Sequence, residues 1–253
     1  MKKKNYNWNL NEVLELFETI EKRNNLGDHK INNVNWWDFT RYNTYRELLE
    51  KLNLEKSILK KDKNKNWAIK KLFFFLLNIF SLKSPIWINR SSIIIFCHQR
   101  RIYENKYFID KYVDPFIDIF KKDNNFSVIE DPLNLVHFNS FKYLHFSPAK
   151  TKKLFYGEFF IFFSRILSKF FITSLTTSEK NVIKKLEKDF KNNFNVEIKL
   201  VNKINYYLPI YKSKLFIYKT FFKIKKPKKI LLVNSAGKEP IIEAAKHLHI
   251  PTY

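Results

Sequence analysis

The stretch Ile230-Leu231-Leu232-Val233-Asn234-Ser235-Ala236-Gly237-Lys238-Glu239-Pro240-Ile241 decides the fold. Four consecutive aliphatic residues, 230–233, suit a strand covered on both faces, because alternate side chains then all meet apolar layers. Residues 234–239 are polar and read as a loop. Pro240 opens a helix, since a first helical turn has no use for the N–H that proline lacks. That helix runs from Ile241 to Leu248, with Ile241, Ala244, Ala245 and Leu248 at helical spacing on one face. Ile250-Pro251-Thr252 then begins another strand. Strand, loop, helix and strand in this order predict a βαβ unit and a parallel sheet.

The same grammar extends upstream. Ser92-Ile93-Ile94-Ile95-Phe96 is a buried strand ending in the polar loop Cys97-His98-Gln99-Arg100-Arg101. Asp114-Pro115 opens a helix to about Lys122, with Asp as cap and Pro at the first helical position. Asn124-Asn125 is a turn, and Phe126-Ser127-Val128-Ile129 is a strand ending in Glu130-Asp131-Pro132. Tyr143–Phe146 fits a third, short strand. A long apolar helix is expected over 152–171. Another starts at Ser178-Glu179, amphipathic through Val182, Ile183, Leu186 and Phe190. Residues 194–200 fit either a short strand or the lead into a helix at 203–222.

Toward the N-terminus, residues 8–22 and 36–53 read as helices, with a turn at Asn24-Asn25-Leu26-Gly27-Asp28. Residues 60–66 are a polar loop. The expected organisation is an N-terminal helical extension over 1–65 and a Rossmann-like α/β domain over 66–253, a parallel sheet with helices on both faces. The edge of the sheet beside Ile230–Val233 is expected to be open.

Composition restricts the function classes. The 253 residues are 45% hydrophobic, enough for a sizeable core and inconsistent with a disordered chain. The net charge of +23 points first to polyanions. Lysine, asparagine, isoleucine, phenylalanine and tyrosine are all abundant, as A/T-rich codons would produce, so most of the charge reads as a solvated lysine surface. One cysteine, Cys97, excludes an internal disulfide. No apolar segment follows Met1-Lys2-Lys3-Lys4, so no signal peptide is visible. The run Leu72–Leu82 is too short to span a membrane. Leu154–Ile172 is long enough but carries Glu158, Arg165 and Lys169, which oppose insertion and predict a buried or interfacial helix.

In open parallel sheets ligands bind beyond the carboxyl ends of the strands, so three loops are candidates. The first offers His98 as a general base, with Arg100 and Arg101 as bidentate grips for phosphate or carboxylate. The second offers Glu130 or Asp131 as an alternative base. The third offers Ser235, Gly237, Lys238 and Glu239 ahead of a helix N-terminus, where backbone N–H groups favour anions. It matches neither the Walker A pattern nor G-x-G-x-x-G. Each group also has a purely structural reading: a hydrogen-bonded loop histidine, solvated arginines, an Asp-Pro cap, a tight strand-to-helix turn. The six histidines show no ligand spacing with cysteine, so no metal site is expected.

The segment from Lys225 to Thr252, with Glu243-Ala244-Ala245-Lys246, Leu248 and Ile250-Pro251-Thr252, resembles a βαβ unit of bacterial glycosyltransferase-like proteins of surface-polysaccharide biosynthesis, including capsule and lipopolysaccharide assembly. The strand ending in His98-x-Arg100-Arg101, followed by the Asp114-Pro115 helix, is similar to the same group. The resemblance implies a two-Rossmann-domain, GT-B-like transferase whose N-terminal domain holds the acceptor and whose C-terminal domain binds a nucleotide sugar. The chain stops at Tyr253, ahead of the Gln-His-Gly element of such proteins. The resemblance therefore implies an acceptor-side half, inactive alone, that binds no cofactor itself. Its implied partners are a glycan or lipid-linked acceptor and a separate donor domain, in the cytoplasm or on the inner face of the cytoplasmic membrane. Two readings compete with it. One is a basic, non-catalytic protein of an anionic membrane surface. The other is an RNA- or ribosome-binding protein, disfavoured by the lack of RNP-like, KH and zinc motifs.

Overall fold

The computed structural model describes residues 8–55, 65–98, 100, 102–104, 107–110, 112–120, 125–132, 153–234 and 237–253. In chain order its elements are α1 (Leu10–Arg23), β1 (Lys30–Ile31), β2 (Val34–Asn35), α2 (Trp36–Lys51), α3 (Lys65–Phe80), a 3-10 turn (Pro85–Trp87), β3 (Ile93–His98), β4 (Ile102–Glu104) and β5 (Tyr107–Ile109). There follow α4 (Asp114–Phe120), β6 (Phe126–Asp131), β7 (Leu154–Tyr156), α5 (Glu158–Leu167), a 3-10 turn (Ser168–Phe170), α6 (Thr177–Phe194), α7 (Leu200–Lys225), β8 (Lys229–Leu232) and α8 (Glu239–His247).

The chain forms two compact units, residues 1–61 with 172–209, and residues 62–171 with 210–253. The boundary expected at residue 65 is thus corrected to a discontinuous one. The physical reason is apolar burial. The N-terminal helices alone cannot cover Phe17, and Phe190 of α6 returns to pack on it at 5.6 Å between ring centroids. Arg23 reinforces the return with an ion pair to Asp189 at 3.2 Å. Within this helical unit, Asn9 with Glu12, and Thr176 with Glu179, close reciprocal capping boxes at the starts of α1 and α6. Asn32 and Asn33 adopt φ of 51° and 63°, the left-handed pair that a two-residue hairpin between β1 and β2 requires.

The second unit contains the parallel sheet, in the order β7-β6-β3-β8. Ile93 of β3 lies opposite both Phe126 of β6 and Lys229 of β8, and all these pairings are parallel, as the runs at 92–96, 126–129 and 230–233 predict. Strand alternation sorts the core into two layers. Ile94, Phe96, Ile129 and Ile230 face Phe160 of α5, Phe222 of α7 and Ala244 of α8. Ile95, Cys97, Val128 and Leu154 face Ile117 of α4 and Val113 just ahead of it. The unit is therefore α/β, with helices on both faces of a parallel sheet.

Several expectations need correction. The helix at 152–171 begins as a strand: β7 pairs with β6, Val128 opposite Leu154, and Gly157 turns the chain into α5. Leu154 and Tyr156 bury on the α4 side, a period-two requirement that a continuous helix cannot meet. Residues 196–199 are irregular and lead into α7, which removes the strand alternative for 194–200. The edge beside β8 is occupied, because Ile230 N–H donates to the Pro251 carbonyl and Tyr253 N–H to the Ile230 carbonyl, each at 3.0 Å. At α4 the capping carboxylate is Asp110, whose Oδ1 accepts the N–H groups of Tyr112 and Val113, while Asp114 lies inside the helix. The strand expected at Tyr143–Phe146 falls outside the described residues. Among the described residues no helix is long and apolar enough to cross a membrane.

Candidate functional site

His98 and Asp131 are the last residues of β3 and β6, and the parallel register sets them side by side. Both continue the alternation of Ile94, Phe96 and Ile129, so both fall on the face covered by α5, α7 and α8. Glu130 takes the opposite parity, following Phe126 and Val128 to the α4 face, where it is fully buried. The crevice anticipated from three loops therefore receives Asp131 and not Glu130.

Lys238 supplies the third group. It occupies the cap position of α8, makes no capping hydrogen bond with its side chain, and is 1% exposed. Its ammonium reaches back over the sheet and donates to Asp131 Oδ2. Asp131 is 21% exposed, so the pair has one open side. Burial raises the Asp131 carboxyl, but the neighbouring charge and hydrogen bond of Lys238, together with Lys214 and His98, outweigh it and hold the group below the usual carboxylate range.

Two residues of α7 complete the surroundings. Burial, first, lowers the Lys214 ammonium below the usual lysine range; Asp131 and Glu239 oppose the shift, and Lys238 and Arg165 add to it. Tyr218, one helical turn on, is buried, and burial and then Asp131 push its phenol well above its ordinary value. Asp131 thus feels Lys238, Lys214 and His98, and Lys214 in turn feels Glu239 and Arg165. Such an arrangement has positive charge to spare for an anionic ligand.

Gly157, between β7 and α5, lets the backbone approach this carboxylate. Its N–H donates to the Glu130 carbonyl at 2.8 Å. A Cβ at this position would collide with Asp131 Oδ1 and lie 3.2 Å from the Glu130 oxygen. At the other loop, Gly237 takes φ of 75°, where a side chain is strained, and its N–H donates to Glu239 Oε1 at 3.2 Å. Glu239, the first residue of α8, thereby binds the amide of the loop residue ahead of the cap.

The remaining sequence-predicted residues divide. Arg100 is exposed and stacks over the Tyr112 ring, 5.4 Å from its centroid, ahead of α4. Arg101 and Ser235 lie outside the described residues. Sequence reasoning missed Lys214, Tyr218 and Gly157. Lys214 had a legible signal: it shares a helical stripe with Tyr218 and Phe222, four and eight residues on, which are core residues. Gly157 had another, as one of 3 glycines in the chain, placed at the break in an apolar run. Among the described residues no group of three or more His, Cys, Asp or Glu side chains is arranged to hold a metal. No protein-family model, no curated protein and no solved structure matches the chain.

Proposed function

We propose that the parallel-sheet unit is the acceptor-side domain of a GT-B-like glycosyltransferase that adds a sugar from a nucleotide sugar to a surface glycan. One observation supports it most: His98, Asp131, Lys214 and Lys238 gather at the carboxyl end of the sheet. That is where open parallel sheets bind ligands. In this reading His98 takes the proton from the acceptor hydroxyl as its oxygen bonds to the anomeric carbon and the bond from that carbon to the nucleoside diphosphate breaks, releasing the diphosphate. Asp131, kept ionised by Lys238, stabilises the imidazolium that results. Lys214 and Arg165 face the phosphate of a lipid-linked or phosphorylated acceptor. The nucleotide-sugar donor is held by a second domain.

The test is equilibrium binding of the purified chain to phosphorylated and lipid-linked glycans, with a parallel transfer assay using a panel of sugar nucleotides. Acceptor binding is expected, weakened by Lys214→Ala. Acceptor-independent binding of a nucleotide sugar would overturn the assignment, as would steeply salt-dependent RNA binding with no glycan affinity.

A further inference from the structure

The helix α3 packs on α5 through one face only. Asn78 Nδ2 donates to the buried Glu158 Oε1 at 3.0 Å, and Phe75 meets Phe162 at 6.1 Å. Ile79 is buried beside them. The opposite face carries Ile69, Leu72, Phe73, Leu76, Leu77 and Phe80, all exposed. At 3.6 residues per turn these six occupy an arc of roughly 140°. Phe73 is 63% exposed and Phe80 70%. The chain continues this apolar character with exposed Leu82, Ile86 and Trp87. An apolar helix face calls for a core or an apolar partner, and contiguous exposed apolar surface marks an interaction site.

We infer that α3 is an interfacial helix that docks this protein on an anionic lipid bilayer. Three observations select that occupant. First, the sequence from Lys63 to Tyr103 contains no acidic residue, while Lys70, at the edge of the arc, and Arg90 are exposed and Lys83 is half-exposed. The rim therefore complements negative headgroups. Second, the exposed arc consists of large aliphatic and aromatic side chains, and Trp87 follows it in the chain; such side chains enter the headgroup–acyl boundary. Third, α3 has 16 residues, about 24 Å at 1.5 Å per residue, too short to cross a hydrocarbon core of roughly 30 Å. It therefore lies in the interface plane. The inference uses no residue of the proposed acceptor site and stands or falls separately from it.

Co-sedimentation of the full chain with vesicles tests this. Binding is expected to phosphatidylcholine vesicles containing phosphatidylglycerol, much less to phosphatidylcholine alone, and to weaken as salt is raised. Phe73→Glu with Phe80→Glu should lower partitioning by roughly tenfold or more, because two exposed anchors are replaced by like charge. Circular dichroism checks that the variant is folded. If it is not, Lys70→Glu with Arg90→Glu provides the second readout and should remove the preference for anionic lipid. Unchanged vesicle binding in both variants would refute the inference. So would a wild-type dimer that the double phenylalanine variant turns into a monomer while neither form binds vesicles, since the face would then join two copies of the chain.

Discussion

Lys238 and Asp131 tie together the carboxyl ends of β8 and β6, two strands that are not neighbours in the sheet because β3 lies between them. The two residues are 107 positions apart. Their ion pair joins the last βαβ unit to the middle of the sheet and leaves His98, at the end of β3, beside it.

The two ends of the pair are unequal, and this predicts an order of mutational cost. Asp131→Asn leaves the ammonium of Lys238, 1% exposed, without its carboxylate. Lys238→Met leaves a carboxylate that is 21% exposed and still near Lys214. Breaking a buried pair from one side costs about 3–5 kcal/mol, and Asp131→Asn should approach that range while Lys238→Met should cost less. Chemical denaturation of both single variants and the double variant measures this. A double variant as costly as the sum of the two would mean that the residues are not coupled.

Acid should loosen the second unit through the same carboxylate. The folded Asp131 has a lowered pKa, so the folded state binds fewer protons there than the unfolded chain. Its contribution is complete above the ordinary aspartate value of about 3.9 and is lost as pH falls through the lower folded value. Denaturation midpoints followed downward from neutrality should therefore fall more steeply in the wild type than in Asp131→Asn.

Lys214 predicts the opposite sign. Its folded pKa is lowered, so below that value the folded state carries an ammonium that burial disfavours. Lys214→Met should melt at a higher temperature than the wild type near neutrality. The advantage should shrink as pH rises through the folded value toward the ordinary lysine value of about 10.4. Equal melting temperatures at neutral pH would show that the ammonium is not disfavoured.

Gly157→Ala should destabilise the chain by about 1–3 kcal/mol, the range for overpacking a filled site. The methyl meets Asp131 Oδ1 and the Glu130 carbonyl oxygen, and only the first of these can be removed by mutation. In an Asp131→Ala background the cost of Gly157→Ala should therefore fall without vanishing. Thermal melting of the four combinations resolves it.

Much of the fold is legible in short segments. The apolar runs at 93–96, 126–129 and 230–232 need cover on both faces whatever surrounds them, and strands joined by helices must then pair in parallel. The segment 152–171 misleads because its apolar residues satisfy a strand and a helix equally. Only the vacant edge of β6 and the tight approach at Gly157 divide it into β7 and α5. The 3-10 turn after α3 and the hairpin β4–β5 have no such periodic signal.

By itself the sequence determined the class of the fold, the positions of three central strands and the neighbourhood of the candidate site at their carboxyl ends. These follow from hydrophobic period and turn chemistry, which act over a few residues. The tertiary structure alone decided which carboxylate enters the site, since register and parity turn Asp131 toward Lys238 and Glu130 away. It also decided that Lys214 joins them from α7 and that α6 returns to the N-terminal helices. These are contacts between residues far apart in the chain. Their partners are chosen by packing, and no local pattern encodes it.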